Sequence, residues 1–121
     1  MRLQALRGAT TVDRNDSEAI LSGTEELVRT LMERNELTPE DMVSCIFTCT
    51  PDLDAEFPAV AARRLGLGGV PLICAREIDV PGALPRVIRL MLHCYSANGQ
   101  PAQHVYLRDA ATLRRDLEEA Q

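Results

Sequence analysis

The sequence predicts an α+β fold, a mixed β-sheet with two main helices on one face. Three observations predict it. Stretches of strand and helix periodicity follow one another in the order β-α-β-α-β-β-β. The length, 121 residues, is that of one domain spanning 1–121. Two helices cannot cover both faces of such a sheet, so one face is left for another subunit. A domain this small leaves much surface exposed, and oligomerisation would bury more of it.

Taken in order, residues 2–12 read as a strand, through Leu3, Ala5 and Leu6 to Gly8-Ala9-Thr10-Thr11-Val12. Asn15-Asp16-Ser17-Glu18 is a helix start, with a side-chain cap and Glu18 three residues after Asn15. Ile20, Leu21, Leu27, Val28, Leu31 and Met32 then recur at helical spacing to about Arg34. Thr38-Pro39-Glu40-Asp41 opens a short helical turn, with Pro at its first position. Met42 to Thr50 is a buried strand, and Pro51 to Glu56 a loop. Phe57-Pro58-Ala59 opens a second helix that ends near Gly66. Val70 to Ala75 is a third strand, and Arg76 to Pro85 a long connection. Arg86 to Tyr95 is a long strand, followed by the turn signal Asn98-Gly99. His104-Val105-Tyr106-Leu107 is the last strand. The charged segment 109–121 reads as a flexible tail.

Composition narrows the function. Apolar residues make up 45% of the chain, enough for a core, but there is no Trp and only two Phe and two Tyr. No apolar run approaches the length of a membrane span. The N-terminus alternates polar and apolar residues and lacks the core of a secretory signal. These features predict a cytoplasmic protein, whose four cysteines, Cys45, Cys49, Cys74 and Cys94, are reduced thiols. No two of them form a CxxC pair, and they read as small buried hydrophobes. The net charge is −5, and no basic block suggests nucleic acid. All 13 cations are Arg. Without Lys there is neither Schiff-base chemistry nor a Walker-type phosphate loop. What remains are planar forks suited to carboxylates, although genome composition accounts for the Arg bias equally well.

Single residues give weaker signals. Arg89 interrupts the apolar run Val87-Ile88-Arg89-Leu90-Met91-Leu92. A guanidinium inside a buried strand is costly without a neutralising partner. The competing reading, an edge strand with Arg89 facing solvent, is equally good. Arg7 precedes Gly8, which could admit a ligand or another chain close to the backbone. Arg63 and Arg64 read as a solvated helix face. Glu77 follows Arg76, a local ion pair. Tyr106 reads as core packing with its hydroxyl at the rim. His93 and His104 have no Asp or Ser partner at useful spacing and read as structural. With no Ser-His-Asp set, metal cluster or phosphate loop, any catalysis must work without a nucleophile or metal.

Several segments together resemble the Bacillus-type chorismate mutases. They are Leu6-Arg7-Gly8-Ala9-Thr10-Thr11-Val12, Thr50-Pro51-Asp52-Leu53, Phe57-Pro58-Ala59, and Val70-Pro71-Leu72 with Cys74 through Gly82. Ile88-Arg89, His104-Val105-Tyr106-Leu107 and Leu113-Arg114 follow. They run in order over nearly the whole chain. The resemblance implies a ferredoxin-like, pseudo-barrel homotrimer with active sites between subunits, distinct from the all-helical chorismate mutases. It implies that chorismate is converted to prephenate, for phenylalanine and tyrosine, with no cofactor. Arg89 is then expected beside the ether oxygen of the substrate, and Arg7 and Tyr106 at its side-chain carboxylate. Glu77 and the backbone of Cys74 are expected at its hydroxyl. Ile73, Ala75 and Arg76 flank that contact. Phe57, Ala59, Ile73 and Leu113 would form an apolar wall. Arg63 of a neighbouring subunit and Arg114 would draw in the dianion and close the cleft. The chain departs from the pattern at Val60, where a Lys can stand; Arg63 or Arg64 are the substitutes for that missing cation. Two other functions compete. An enamine/imine deaminase-like or small-carboxylate-binding trimer explains Arg89 but not Arg7, Glu77 and Tyr106 together. A non-catalytic regulatory subunit would leave Arg89 facing solvent without a partner.

Overall fold

The structure is a computed structural model that describes residues 1–96 and 100–113. The Asn98-Gly99 turn signal, Arg114 and the remainder of the tail lie outside the described residues. Strand β1 is Arg2–Thr11, helix α1 Ser17–Arg34, strand β2 Met42–Cys49 and helix α2 Pro58–Ala62. Strands β3, Leu72–Arg76, β4, Val87–Ser96, and β5, Val105–Tyr106, complete the expected order. They form one five-stranded sheet ordered β3-β2-β4-β1-β5. Central β4 runs antiparallel to β1 and β2, while β2 with β3 and β1 with β5 are parallel. The sheet is therefore mixed, as the sequence predicts.

Alternation sets the two faces. On β4, Ile88, Leu90, Leu92 and Cys94 are buried. Leu90 and Leu92 join Leu6, Phe47 and Val105 under Leu27 and Leu31 of α1 and Ala62 of α2 in the main core. Each large aliphatic or aromatic side chain buried there is worth about 1.5–3 kcal/mol. A second cluster of Val12, Ile20, Cys49, Leu53 and Ile88 closes the end of the sheet.

Details of the elements differ from the sequence reading. The α1 cap is Asp16, whose carboxylate accepts from the Ala19 N–H at 2.7 Å. Asn15 instead ties down the loop before α2. Its side-chain oxygen accepts from the N–H groups of Asp54 and Ala55, both at 3.1 Å. The second helix is α-helical only to Ala62 and continues as a π-turn, Arg63–Leu67, stopped by Gly66 at φ 92°. At Gly8 the close approach on the core side is made by the chain itself, while Gly8 also lines a hollow with Arg7, Arg89 and Tyr106 on the other face. A β-carbon there would lie 2.8 Å from Leu31 and 3.2 Å from Leu27, so the close approach is that of α1 to the sheet. The tail begins with a 3-10 turn, Arg108–Ala110, in which Ala110 is fully buried, and residues 111–113 are helical.

All four cysteines are free thiols. Burial, reinforced by the charge of Cys74, pushes Cys45 and Cys49 up to about 12. The neutral thiol is thus favoured by folding. Its contribution is fully present below the ordinary thiol value of 9.0 and is lost as pH climbs from there to about 12. Urea midpoints should therefore fall over that range, and Cys45→Ala should flatten the fall. An unchanged slope in the variant would contradict the assignment.

Among the described residues no helix covers the opposite face. Two rows of side chains cross it, given by strand register. Ile73, Ile46, Met91 and Arg7 form one row, and Ala75, Thr48, Arg89, Ala9 and Tyr106 the next. Leu3, Ile46, Ile73 and Tyr95 on this face are between 39% and 59% exposed. They form two exposed apolar pairs, Leu3 with Tyr95 and Ile46 with Ile73, and exposed apolar side chains of this kind are a common mark of an interface.

Candidate active site

The second row carries the chemistry. Arg89 sits on the central strand with its side chain on the uncovered face and a carboxylate partner, so the edge-strand reading fails and the reading of a guanidinium within the sheet that needs a neutralising partner holds. It is neither sealed in the core nor on an edge strand. Its Nε lies 3.0 Å from Glu77 Oε1, with the two side chains 45% and 24% exposed. An ion pair so exposed contributes about 0–1 kcal/mol to stability, so what it fixes is position rather than the fold. Glu77 therefore pairs with Arg89 across the sheet, not with its neighbour Arg76. It reaches Arg89 because its N–H donates to the Cys49 carbonyl at 2.9 Å, which extends the β2–β3 ladder by one residue.

Arg89, Arg7, Thr48, Met91, Ile46 and Tyr106 line one hollow of about 240 Å³ on this face. Arg7 is placed from β1, whose edge is held by β5 and by His104, where Nδ1 accepts the Arg7 backbone N–H at 2.9 Å. His104 thus has a structural task. So does His93, whose Nδ1 lies 3.3 Å from Ser44 Oγ; the sequence reading missed that serine because it comes from another strand.

Phe57, Cys74, Ala75 and Arg76 line a second groove of about 350 Å³, together with Asp54 and Glu56. Phe57 is 67% exposed, an unusual state for a large aromatic. Ile73 stands exposed on the uncovered face. Arg63 is exposed at the start of the π-turn, and Leu113 is half-buried in the last described turn. Ala59 is only 3% exposed and packs in the core. Arg114 lies outside the described residues.

Thr48, which does not stand out in the sequence, also lies in the hollow and donates to Glu77 Oε1 at 2.6 Å. Its only signal was parity. Ser44, Ile46 and Thr48 alternate with Cys45, Phe47 and Cys49, so they share the face opposite the core. Chemically, the hollow presents two guanidinium groups and a phenol to one small space, and the Glu77 carboxylate is paired with one of those guanidinium groups. This arrangement suits an anionic ligand that carries a hydroxyl. Among the described residues no three His, Cys, Asp or Glu side chains converge to hold a metal ion, and no helix is long and apolar enough to cross a membrane.

Comparison with known proteins gives the family and the fold. The family model for chorismate mutase type I matches residues 3–117. The chain is 46% identical over 121 residues to the chorismate mutase AroH of Thermus thermophilus, covering 98% of this chain and 99% of that one. It is 43% identical over 119 residues to the chorismate mutase AroH of Bacillus subtilis (strain 168), covering 97% and 94%. A solved chorismate mutase from Clostridium thermocellum superimposes with a TM-score of 0.86 at 44% identity, over 90% of this chain and 98% of that one.

Proposed function

This chain belongs to the chorismate mutase type I family, and we propose that it rearranges chorismate to prephenate in clefts shared between the subunits of a cytoplasmic homotrimer. The single observation that carries the residue roles is the meeting of Arg89 with Glu77 beside Arg7 and Tyr106.

Chorismate is a dicarboxylate that must fold into a compact diaxial-like conformer. Its ether C–O bond breaks as a C–C bond forms, and the ether oxygen gains negative charge as the bond lengthens. Arg89 meets that oxygen. A cation placed where charge develops stabilises the transition state more than the ground state. Arg7 and Tyr106 hold the side-chain carboxylate, and with it the folded conformer. Glu77 and the backbone of Cys74 take the ring hydroxyl, with Ile73, Ala75 and Arg76 beside that contact. Phe57, Ala59, Ile73 and Leu113 form the apolar wall, and Arg63 of the adjacent subunit and Arg114 draw in the dianion and close the cleft. The rearrangement needs no cofactor. It serves the synthesis of phenylalanine and tyrosine.

The exposed Phe57 and the exposed apolar side chains of the uncovered face support the assembly, since both gain cover from a second copy. The positive focus at Arg7 and Arg89 attracts a dianion even though the chain carries a net charge of −5.

Purified protein at micromolar concentration is expected to abolish the ultraviolet absorbance of chorismate within minutes, with no metal added. No change beyond the spontaneous rate would discard this function.

A further inference from the structure

Resting on that reading of the site, we propose that Thr48 is a positioning residue for the reaction, acting through Glu77. Thr48 lies on the uncovered face of β2, in register with Arg89 on β4 and Ala75 on β3. Its hydroxyl donates to Glu77 Oε1 at 2.6 Å, and Arg89 Nε lies 3.0 Å from that same oxygen. One carboxylate oxygen is therefore held from two strands at once.

The arrangement matters because the three side chains differ in stiffness. Glu77 and Arg89 are long, and each has several rotatable bonds to order. Thr48 is β-branched and stiff at χ1. It stands on a strand paired on both sides, by β3 and β4. The threonine hydroxyl is thus the one fixed point of the trio. Without it, Glu77 is tied only to a guanidinium that is itself mobile, and the two can swing together. A misplacement of about 1 Å at reacting groups can cost on the order of 10²-fold in rate. The hydrogen bond itself, by contrast, is a part-exposed contact that contributes about 1 kcal/mol to the fold. The effect on turnover should therefore exceed the effect on stability.

Thr48→Val keeps the shape and removes the hydroxyl. Its kcat is expected to fall by roughly 10- to 100-fold, with KM changed by less than about threefold. Thr48→Ser, which restores the donor, should return kcat to within about threefold of the parent enzyme. The decisive measurement is the double variant. In a Glu77→Ala background, assayed at raised enzyme concentration, Thr48→Val should change kcat by less than about twofold, because nothing is left for the hydroxyl to hold. A loss that persists undiminished in that background would mean that Thr48 acts independently of Glu77, and would overturn the proposal. So would a single variant with parental kcat. Should Thr48→Val not fold, Thr48→Ala must reproduce the loss. If neither folds, Thr48 is a stability residue and the positioning role falls. Failure of the function itself is separable, since it appears as an inactive parent enzyme before any variant is made.

Discussion

Replacing Arg89 by alanine is expected to lower kcat by several orders of magnitude while the melting temperature hardly moves. The two halves of that result have different causes. Removing one preorganised donor from a developing oxyanion typically costs about 10²–10³ in rate. Arg89 is a full cation assigned to the ether oxygen, so its loss should sit at or beyond the upper end of that range. Stability is another matter. The side chain is 45% exposed and its one ion pair is with a partly solvated carboxylate. Exposed pairs of this kind contribute little, and truncation leaves no sealed charge behind. Arg89→Lys should also be poor. A guanidinium carries five donors in a rigid fork and can meet Glu77 and a ligand oxygen together, whereas an ammonium is a point charge on a flexible stem. Initial rates at saturating chorismate, with a thermal melt of each variant, decide the matter. Near-parental turnover in Arg89→Ala would remove the assigned role. A collapsed melting temperature would show that the residue serves the fold instead.

The contrast between Arg89 and Glu77 shows what the sequence can carry. Periodicity is local, so the long helix from Ser17 to Arg34 and the order of the strands were legible from residue spacing alone. The order of strands within the sheet is not local. Nothing in the run around Arg89 says that β4 lies between β1 and β2 rather than at an edge, and that placement decides what the guanidinium meets. The same limit hid the partner of Glu77. Residues 77 and 89 are joined by a connection that turns at Gly82, φ 83°, and their meeting depends on the register of three strands. Gly8 is legible only in part for a related reason. Its missing side chain was visible in the sequence, but the occupant of the space is Leu31 of α1, set by tertiary packing. Thr48 was passed over because a threonine in a strand is ordinary. Family resemblance supplied the site residues that lie in the hollow and the groove, but not this link between them.

Mixing two inactive variants, Arg7→Ala and Arg63→Ala, is expected to restore activity. The reason is geometric. Within one chain, Arg7 lies in the hollow with Arg89 and Tyr106, whereas Arg63 is exposed beyond α2 and lines neither that hollow nor the groove beside Phe57. If a cleft combines Arg7 of one subunit with Arg63 of the next, each single variant spoils every site of its own trimer. Unfolded together and refolded at equal amounts, the chains assort at random around the ring. A site is whole when its first subunit carries intact Arg7 and its second intact Arg63, which happens for about a quarter of the sites in a closed cyclic assembly. The mixture should thus recover roughly that fraction of parental kcat, far above either variant alone. The exposed apolar side chains Leu3, Ile46, Ile73 and Tyr95 on the uncovered face should be withdrawn from solvent in the same step. Sizing of the refolded mixture checks that trimers have formed. Trimers that regain nothing would place both arginines in the same subunit's site, or Arg63 in none, and would end the shared-cleft arrangement even if the enzyme itself is active.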